Sequence, residues 1–155
     1  MPTSPQSPPT ANPNSDLETG LLDRAWITDL VSRLGSNLDS RNFEGLRDLF
    51  TPDATVTTPG GTAHGHDALV DQARRRHSTD VGIQHIITNV LIEHSDDDRA
   101  TARANLLVSF ARTGAGDPSP FLLGEIYDFD LRRTPAGWRL TALTSTPVWT
   151  LNDPR

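Results

Sequence analysis

Val81–Gly82–Ile83–Gln84–His85–Ile86–Ile87–Thr88–Asn89–Val90–Leu91–Ile92 is the stretch that decides how this 155-residue chain is read. It is apolar and β-branched, which predicts a strand. Large aliphatic residues fall on both alternation sets, which predicts cover on both faces. One imidazole interrupts the run. His85 is therefore placed partly out of water, with a charge state set by its partner. Two readings stand at this point: a core histidine satisfied by backbone, or a side chain lining a pocket.

The pattern continues downstream as sheet. Ser95–Asp96–Asp97–Asp98 makes a turn, and residues 99–113 form a strand with Ala102, Ala104, Leu106, Val108 and Phe110 on one face. Thr101, Arg103, Asn105 and Ser109 lie on the other. A loop around Gly114, Gly116, Asp117 and Pro118 leads to strands over 121–133 and 138–149, joined by Thr134–Pro135–Ala136–Gly137.

Upstream the period is helical. Leu22, Trp26, Ile27, Leu30, Val31, Leu34 and Leu38 fall on one stripe. Asp39–Ser40–Arg41–Asn42 breaks it, and a short helix follows with Phe43, Leu46, Leu49 and Phe50 inward. Thr51–Pro52–Asp53 stops that helix. A strand over 54–58, a Pro59–Gly60–Gly61 turn and a third helix over 66–77, with Leu69, Val70 and Ala73 inward, complete the series. Helices first and strands afterwards predict an α+β fold. The expected form is a cone-shaped α+β barrel, a strongly curved antiparallel sheet packed on N-terminal helices. Its interior is a natural apolar pocket.

One domain is expected over 21–151. The Pro/Ser-rich residues 1–20 read as a disordered tail, and 152–155 as a short C-terminal tail. There is no cysteine, which excludes disulfides, thiolate catalysis and cysteine zinc sites. All 14 basic residues are arginine and the net charge is −6. Lysine avoidance is the mark of a GC-rich bacterial coding sequence. The only basic run, Arg74–Arg75–Arg76, ends a helix, where cations suit the dipole, so nucleic acid is not an expected partner. No apolar run reaches the ~20 residues of a membrane span, and no signal-peptide order opens the chain. A cytoplasmic protein is expected.

Three local patterns carry a family resemblance. Leu38–Asp39–Ser40–Arg41–Asn42–Phe43–Glu44–Gly45–Leu46–Arg47–Asp48–Leu49–Phe50–Thr51–Pro52–Asp53–Ala54 is similar to a helix-to-strand passage of the SnoaL-like branch of the nuclear transport factor two-like superfamily. Gln84–His85–Ile86–Ile87–Thr88–Asn89 resembles that branch's Gln–His strand. Arg132–Arg133–Thr134–Pro135–Ala136–Gly137–Trp138–Arg139 resembles its final hairpin. Within the superfamily the local pattern is similar to scytalone dehydratase, which implies a dyad of Asp39 and His85. The dehydratase tyrosine before the Asp is Leu38 here, and its second pocket histidine falls near Phe110. Limonene epoxide hydrolase is a more distant likeness: its Arg-x-Asp strand motif matches Arg103–Ala104–Asn105, without the carboxylate.

Asp39 also stands out by itself, because a carboxylate at the C-terminal end of a helix opposes the dipole. It either caps the following short helix or reaches His85, fixing its tautomer so that the other nitrogen transfers protons. Tyr127, the only tyrosine, shares a face with Glu125 and Phe129 and is a candidate donor to a substrate oxygen. Asn89, two positions beyond Ile87 on the His85 alternation set, is a candidate for orienting a carbonyl. Leu106, Val108, Phe110, Glu125 and Phe129, with Trp26, are candidate substrate-binding residues of the pocket wall. His64 and His66 make a poor metal pair, so no metal is expected, and His77 and His94 read as surface. Without a phosphate-binding loop, no cofactor is expected. The reading is a cofactor-independent dehydratase, cyclase or isomerase acting on a small hydrophobic oxygenated, polyketide-like metabolite. The alternative is a non-catalytic ligand-binding or assembly module, like the small subunit of ring-hydroxylating dioxygenases. The resemblance also suggests a homodimer through the outer sheet face carrying Thr101, Arg103, Asn105 and Ser109.

Overall fold

The apolar stripe of the first helix starts at Ile27 and runs through Leu30, Val31, Leu34 and Leu38, all buried. In the computed structural model, which describes residues 13–112 and 120–152, helix α1 spans Pro13–Asp39. It begins well before the expected boundary. Pro13 suits a first helical position, where no N–H is needed, and Asp16 sits in the first turn. Polar residues there hide the helix from a search for apolar period. Leu22 is exposed, so the buried stripe is shorter than expected. The rest of the expected N-terminal tail, residues 1–12, lies outside the described residues, as do the 114–118 loop and residues 153–155.

A 3-10 helix, Phe43–Asp48, replaces the expected short α-helix, and Asn42 caps it by accepting from Gly45 N–H. Strand β1 spans Phe50–Thr58, β2 Gly61–His64, α2 Gly65–Arg76, β3 Val81–Asp96, β4 Arg99–Arg112, β5 Phe121–Thr134 and β6 Gly137–Leu151. β1 starts earlier than expected and contains Pro52; its pairing with β6 shifts between Phe50 and Thr55, so the proline interrupts no regular ladder. The six strands form one sheet in the order β2-β1-β6-β5-β4-β3. It is mixed, because β1 runs parallel to β6, whereas the other neighbours are antiparallel. The sheet does not close.

Irregular pairing bends it. Register shifts fall in β3 between Thr88 and Leu91 and between β5 and β6 at Gly124/Glu125 and Asp130/Leu131. Such bulges add local twist and curl a sheet. The inner face carries Ala100, Ala102, Ala104, Leu106 and Val108 from β4, Phe129 and Leu131 from β5, and Trp138, Leu140 and Leu143 from β6. α1 packs across β3 and β6 over this face, and α2 packs on β1. Thr101, Arg103 and Asn105 lie exposed on the other face, with Arg103 paired to Asp128 at 3.1 Å.

One polar cluster ties α1 to the final hairpin. Trp138 is fully buried and its indole N–H donates to Asp23 at 2.9 Å. Arg133 donates to both Asp23 oxygens, at 2.9 and 2.6 Å, and its guanidinium lies 4.7 Å from the Trp138 ring centre. Burial pushes the Asp23 carboxyl up, but the hydrogen bonds from Arg133 and Trp138 and the Arg133 charge outweigh it and hold the group below its ordinary 3.8. Trp26 lies against this hairpin. Gly137 has φ +96°, and a Cβ there would sit 2.0 Å from the Trp26 ring, so only glycine fits the turn. A depressed carboxyl stabilises the fold fully above its unfolded value, and that contribution is lost as pH falls through the folded value. Asp23→Ala is expected to cost about 3 kcal/mol at neutral pH, read by urea denaturation. The gap to wild type should narrow below about pH 4.

Candidate active site

Asp39 is the last residue of α1, and the chain turns directly after it. Asn42 N–H donates to Asn37 carbonyl at 2.8 Å and Arg41 N–H to Leu38 carbonyl at 3.2 Å. With Arg41 at φ +57°, this is a Schellman cap built on a non-glycine residue. The strained residue is used twice. Its guanidinium Nη2 donates to the carbonyls of Ser78 and Val81, both at 2.7 Å. The end of α1 is thus fastened to the entry of β3.

That fastening brings Asp39 to His85. Asp39 Oδ1 accepts from the His85 ring Nδ1 at 2.7 Å, and the His85 backbone N–H donates to Oδ1 and Oδ2 at 2.9 and 3.2 Å. β3 is an edge strand, so this N–H would otherwise lack a ladder partner. Gly35 allows the approach, since its ideal Cβ would already lie 3.3 Å from Ile87 and 3.6 Å from the His85 Cβ. The His85 side chain is 6% exposed and that of Asp39 29%. With the Nδ1 proton committed to a carboxylate, Nε2 is the nitrogen left for a ligand.

His85 is in the wall of a cavity of about 190 Å3 between the inner sheet face and the two helices. Val108, Phe110, Glu125 and Tyr127 line it, as expected; the Ser145 hydroxyl donates to Glu125 at 2.7 Å. Tyr127 is buried, and burial first, then the charge of Glu125, raises its phenol far above the ordinary value of 10.0. It therefore remains a donor.

Four expected pocket residues lie elsewhere. Trp26 is 47% exposed and packs on the Gly137 turn outside the cavity. Asn89 sits at the β3 bulge with φ +54° and is exposed. The bulge moves inward orientation from the 85/87 set to Val90 and Ile92, which defeats simple alternation. Leu106 and Phe129 are on the inner face but are buried in the core that α1 covers, with Phe129 edge-on to Tyr127 at 5.6 Å. Asp39 does not cap the 3-10 helix; Asn42 does.

His77 was expected at the surface and instead lines the cavity. Its ring stacks on His85 at 5.5 Å and 27°, and its Nδ1 donates to Ala73 carbonyl at 2.7 Å. Burial, chiefly, lowers its basicity below the ordinary 6.5, against the opposing Ala73 hydrogen bond. The signal was present in the sequence: Leu69, Ala73 and His77 are four apart, on the inward stripe of α2. Gln72, Arg76 and Ser145 also line the cavity and were not singled out. His64 and His66 bond separately, to Thr55 at 3.1 Å and to Phe50 carbonyl at 2.9 Å. No cluster of three or more His, Cys, Asp or Glu suited to a metal occurs among the described residues, and no described helix is long and apolar enough to cross a membrane.

This architecture has relatives. An uncharacterized protein of Mycobacterium tuberculosis is 29% identical over 131 residues, covering 81% of this chain and 86% of that one. The hexachlorocyclohexane dehydrochlorinase LinA-type3 of Novosphingobium barchaimii is 22% identical, with a TM-score of 0.77 over 88% of this chain and 92% of that one. A scytalone dehydratase-like protein of Novosphingobium aromaticivorans is 20% identical, with a TM-score of 0.78 over 88% and 91%. At these identities the two structures speak for the fold. A profile of the SnoaL-like domain matches residues 19–144, and the chain therefore belongs to the SnoaL-like domain family.

Proposed function

We propose that the protein is a cofactor-independent lyase or isomerase that moves a proton on a small hydrophobic, oxygenated, polyketide-like substrate. The observation that carries this reading is the His85 ring, with Nδ1 held at 2.7 Å by Asp39 and Nε2 left for an apolar cavity. In a dehydration, Nε2 takes the proton from the carbon beside a carbonyl. The C–H electron pair forms an enolate whose oxygen accepts from Tyr127. Collapse of the enolate forms the C=C bond and breaks the C–O bond at the next carbon, and the departing hydroxide takes the proton from the imidazolium to leave as water. Returning that proton to a different carbon gives isomerisation instead. Asp39 stabilises the transient imidazolium. The two structural relatives are named for the loss of hydrogen chloride and of water, both of them eliminations.

An assembly subunit has no need of a histidine with one nitrogen oriented by a carboxylate and the other in an open cavity. That arrangement favours the enzyme over the binding module.

Two assays test the reading without knowledge of the natural substrate. α-Tetralone in D2O reports proton abstraction by loss of its α-proton NMR signal, and a β-hydroxytetralone reports dehydration by the appearance of naphthol fluorescence. Wild type is expected to accelerate at least one, and His85→Ala to lower that rate by about 10²–10⁴ while remaining folded. Wild-type turnover in His85→Ala would sink the proposal. Tyr127→Phe should cost about 10²–10³ in rate, the usual effect of losing one oxyanion donor. Nitrogen-15 NMR of neutral His85 should show the Nδ1–H tautomer, with that preference weakened in Asp39→Asn.

A further inference from the structure

Among the described residues, the cavity wall holds a cation with no ion-pair partner. Arg76 lies in the last turn of α2, beside two arginines that the helix dipole also favours. Arg74 pairs with Glu44 at 2.6 Å. Among the described residues Arg76 has no carboxylate within ion-pair distance, yet it lines the cavity that His85 and Tyr127 share. Its charge is felt there, since it opposes the upward shift of the Tyr127 phenol.

Its position is built into the fold. The guanidinium rests on Gly60, in the turn between β1 and β2, where a Cβ would lie 1.9 Å from Nη2 and 2.9 Å from Cζ. Any side chain at residue 60 would displace it. Gln72, one turn earlier on α2 and also in the cavity wall, donates to Gly61 carbonyl at 3.0 Å and holds the same turn against the helix. The charge is therefore set at the rim, between the β1–β2 turn and the end of α2. The acidic side chain in the wall is Glu125, which accepts from Ser145. A negative group on a ligand is repelled by Glu125 and attracted by Arg76, so an amphiphilic anion has one favoured orientation. A guanidinium matches a planar carboxylate through two parallel hydrogen bonds.

We infer that Arg76 is a specificity residue that binds a carboxylate of the substrate, so that the cavity takes small aromatic or alicyclic acids with the anionic end at the rim. This rests on the proposed function and narrows its substrate class. It is tested by calorimetry with naphthoate and its uncharged isostere naphthamide, at a pH where ordinary imidazoles are neutral. Wild type is expected to favour naphthoate by about tenfold, the worth of one charge-assisted contact. Arg76→Gln, which removes the charge at an exposed position, should bring the ratio to about one. Arg76→Lys should keep part of the preference. Equal binding of the two probes by wild type, or an unchanged preference in Arg76→Gln, overturns the inference while leaving the His85 reading intact. Failure of both probes to bind overturns the inference together with the ligand-cavity reading.

Discussion

The carboxylate of Asp39, shared between the backbone and the ring of one residue on an edge strand, is the interaction on which the site depends. A negative charge at the C-terminal end of a helix costs roughly 0.3–1 kcal/mol. Hydrogen bonds to a charged group are worth about 1.5–3 kcal/mol each, so the bonds from His85 outweigh it. The backbone bond fixes the strand, and the ring bond fixes the imaging of the imidazole into the cavity. One side chain thus couples the helix end, the sheet edge and the tautomer of the candidate base. Arg41 reinforces the arrangement: it adopts the left-handed conformation that turns the chain away from Asp39 and clamps the carbonyls at the start of β3.

The cavity exists because the sheet is unevenly filled. Near the Trp138 end, small alanines on β4 let α1 lie close, and Phe129, Leu131 and Leu140 complete a solid core anchored by Asp23 and Arg133. Toward the other end, near the β5–β6 register shift at Gly124/Glu125, side chains of α2 and of the sheet line the cavity instead of filling it. Stability and function are segregated along the same strands. Tyr127 is the border residue: it packs edge-on against Phe129 on the core side and contributes to the cavity wall on the other.

The α+β order was legible because β-branched runs and a helical apolar stripe differ plainly in period. Asp39 and His85 were legible as a pair through their flanking motifs, and Val108, Phe110, Glu125 and Tyr127 through alternation within regular stretches of β4 and β5. What escaped were effects that no single period carries. Asn89 was misplaced because a bulge reverses the face of a strand, and a bulge is decided by pairing with a distant segment. Trp26 lies outside the pocket because it packs on a turn more than a hundred residues away, whereas the stripe from Ile27 onward enters the core. The parallel pairing of β1 with β6 joins segments far apart in the sequence, which no local period records. His77 was misread for another reason: a run of arginines drew attention to charge at a helix end, although the spacing from Leu69 and Ala73 pointed inward.

His77 also bears on the proposed proton transfer. Both rings line the cavity, and they stack face to face at 5.5 Å. Two adjacent imidazolium ions in so apolar a site would repel each other strongly. The partners of the two rings break the symmetry. The Nδ1 of His77 donates to a neutral carbonyl, and burial disfavours its charged form. The Nδ1 of His85 faces a carboxylate that compensates a positive charge. The proposed proton transfer therefore falls to His85, whose ring Asp39 orients, while His77 presents an aromatic surface against the neighbouring ring. In the proposed mechanism a second histidine in the wall thus need not be a second base: burial disfavours its charged form, and its Nδ1 faces a carbonyl where that of His85 faces a carboxylate.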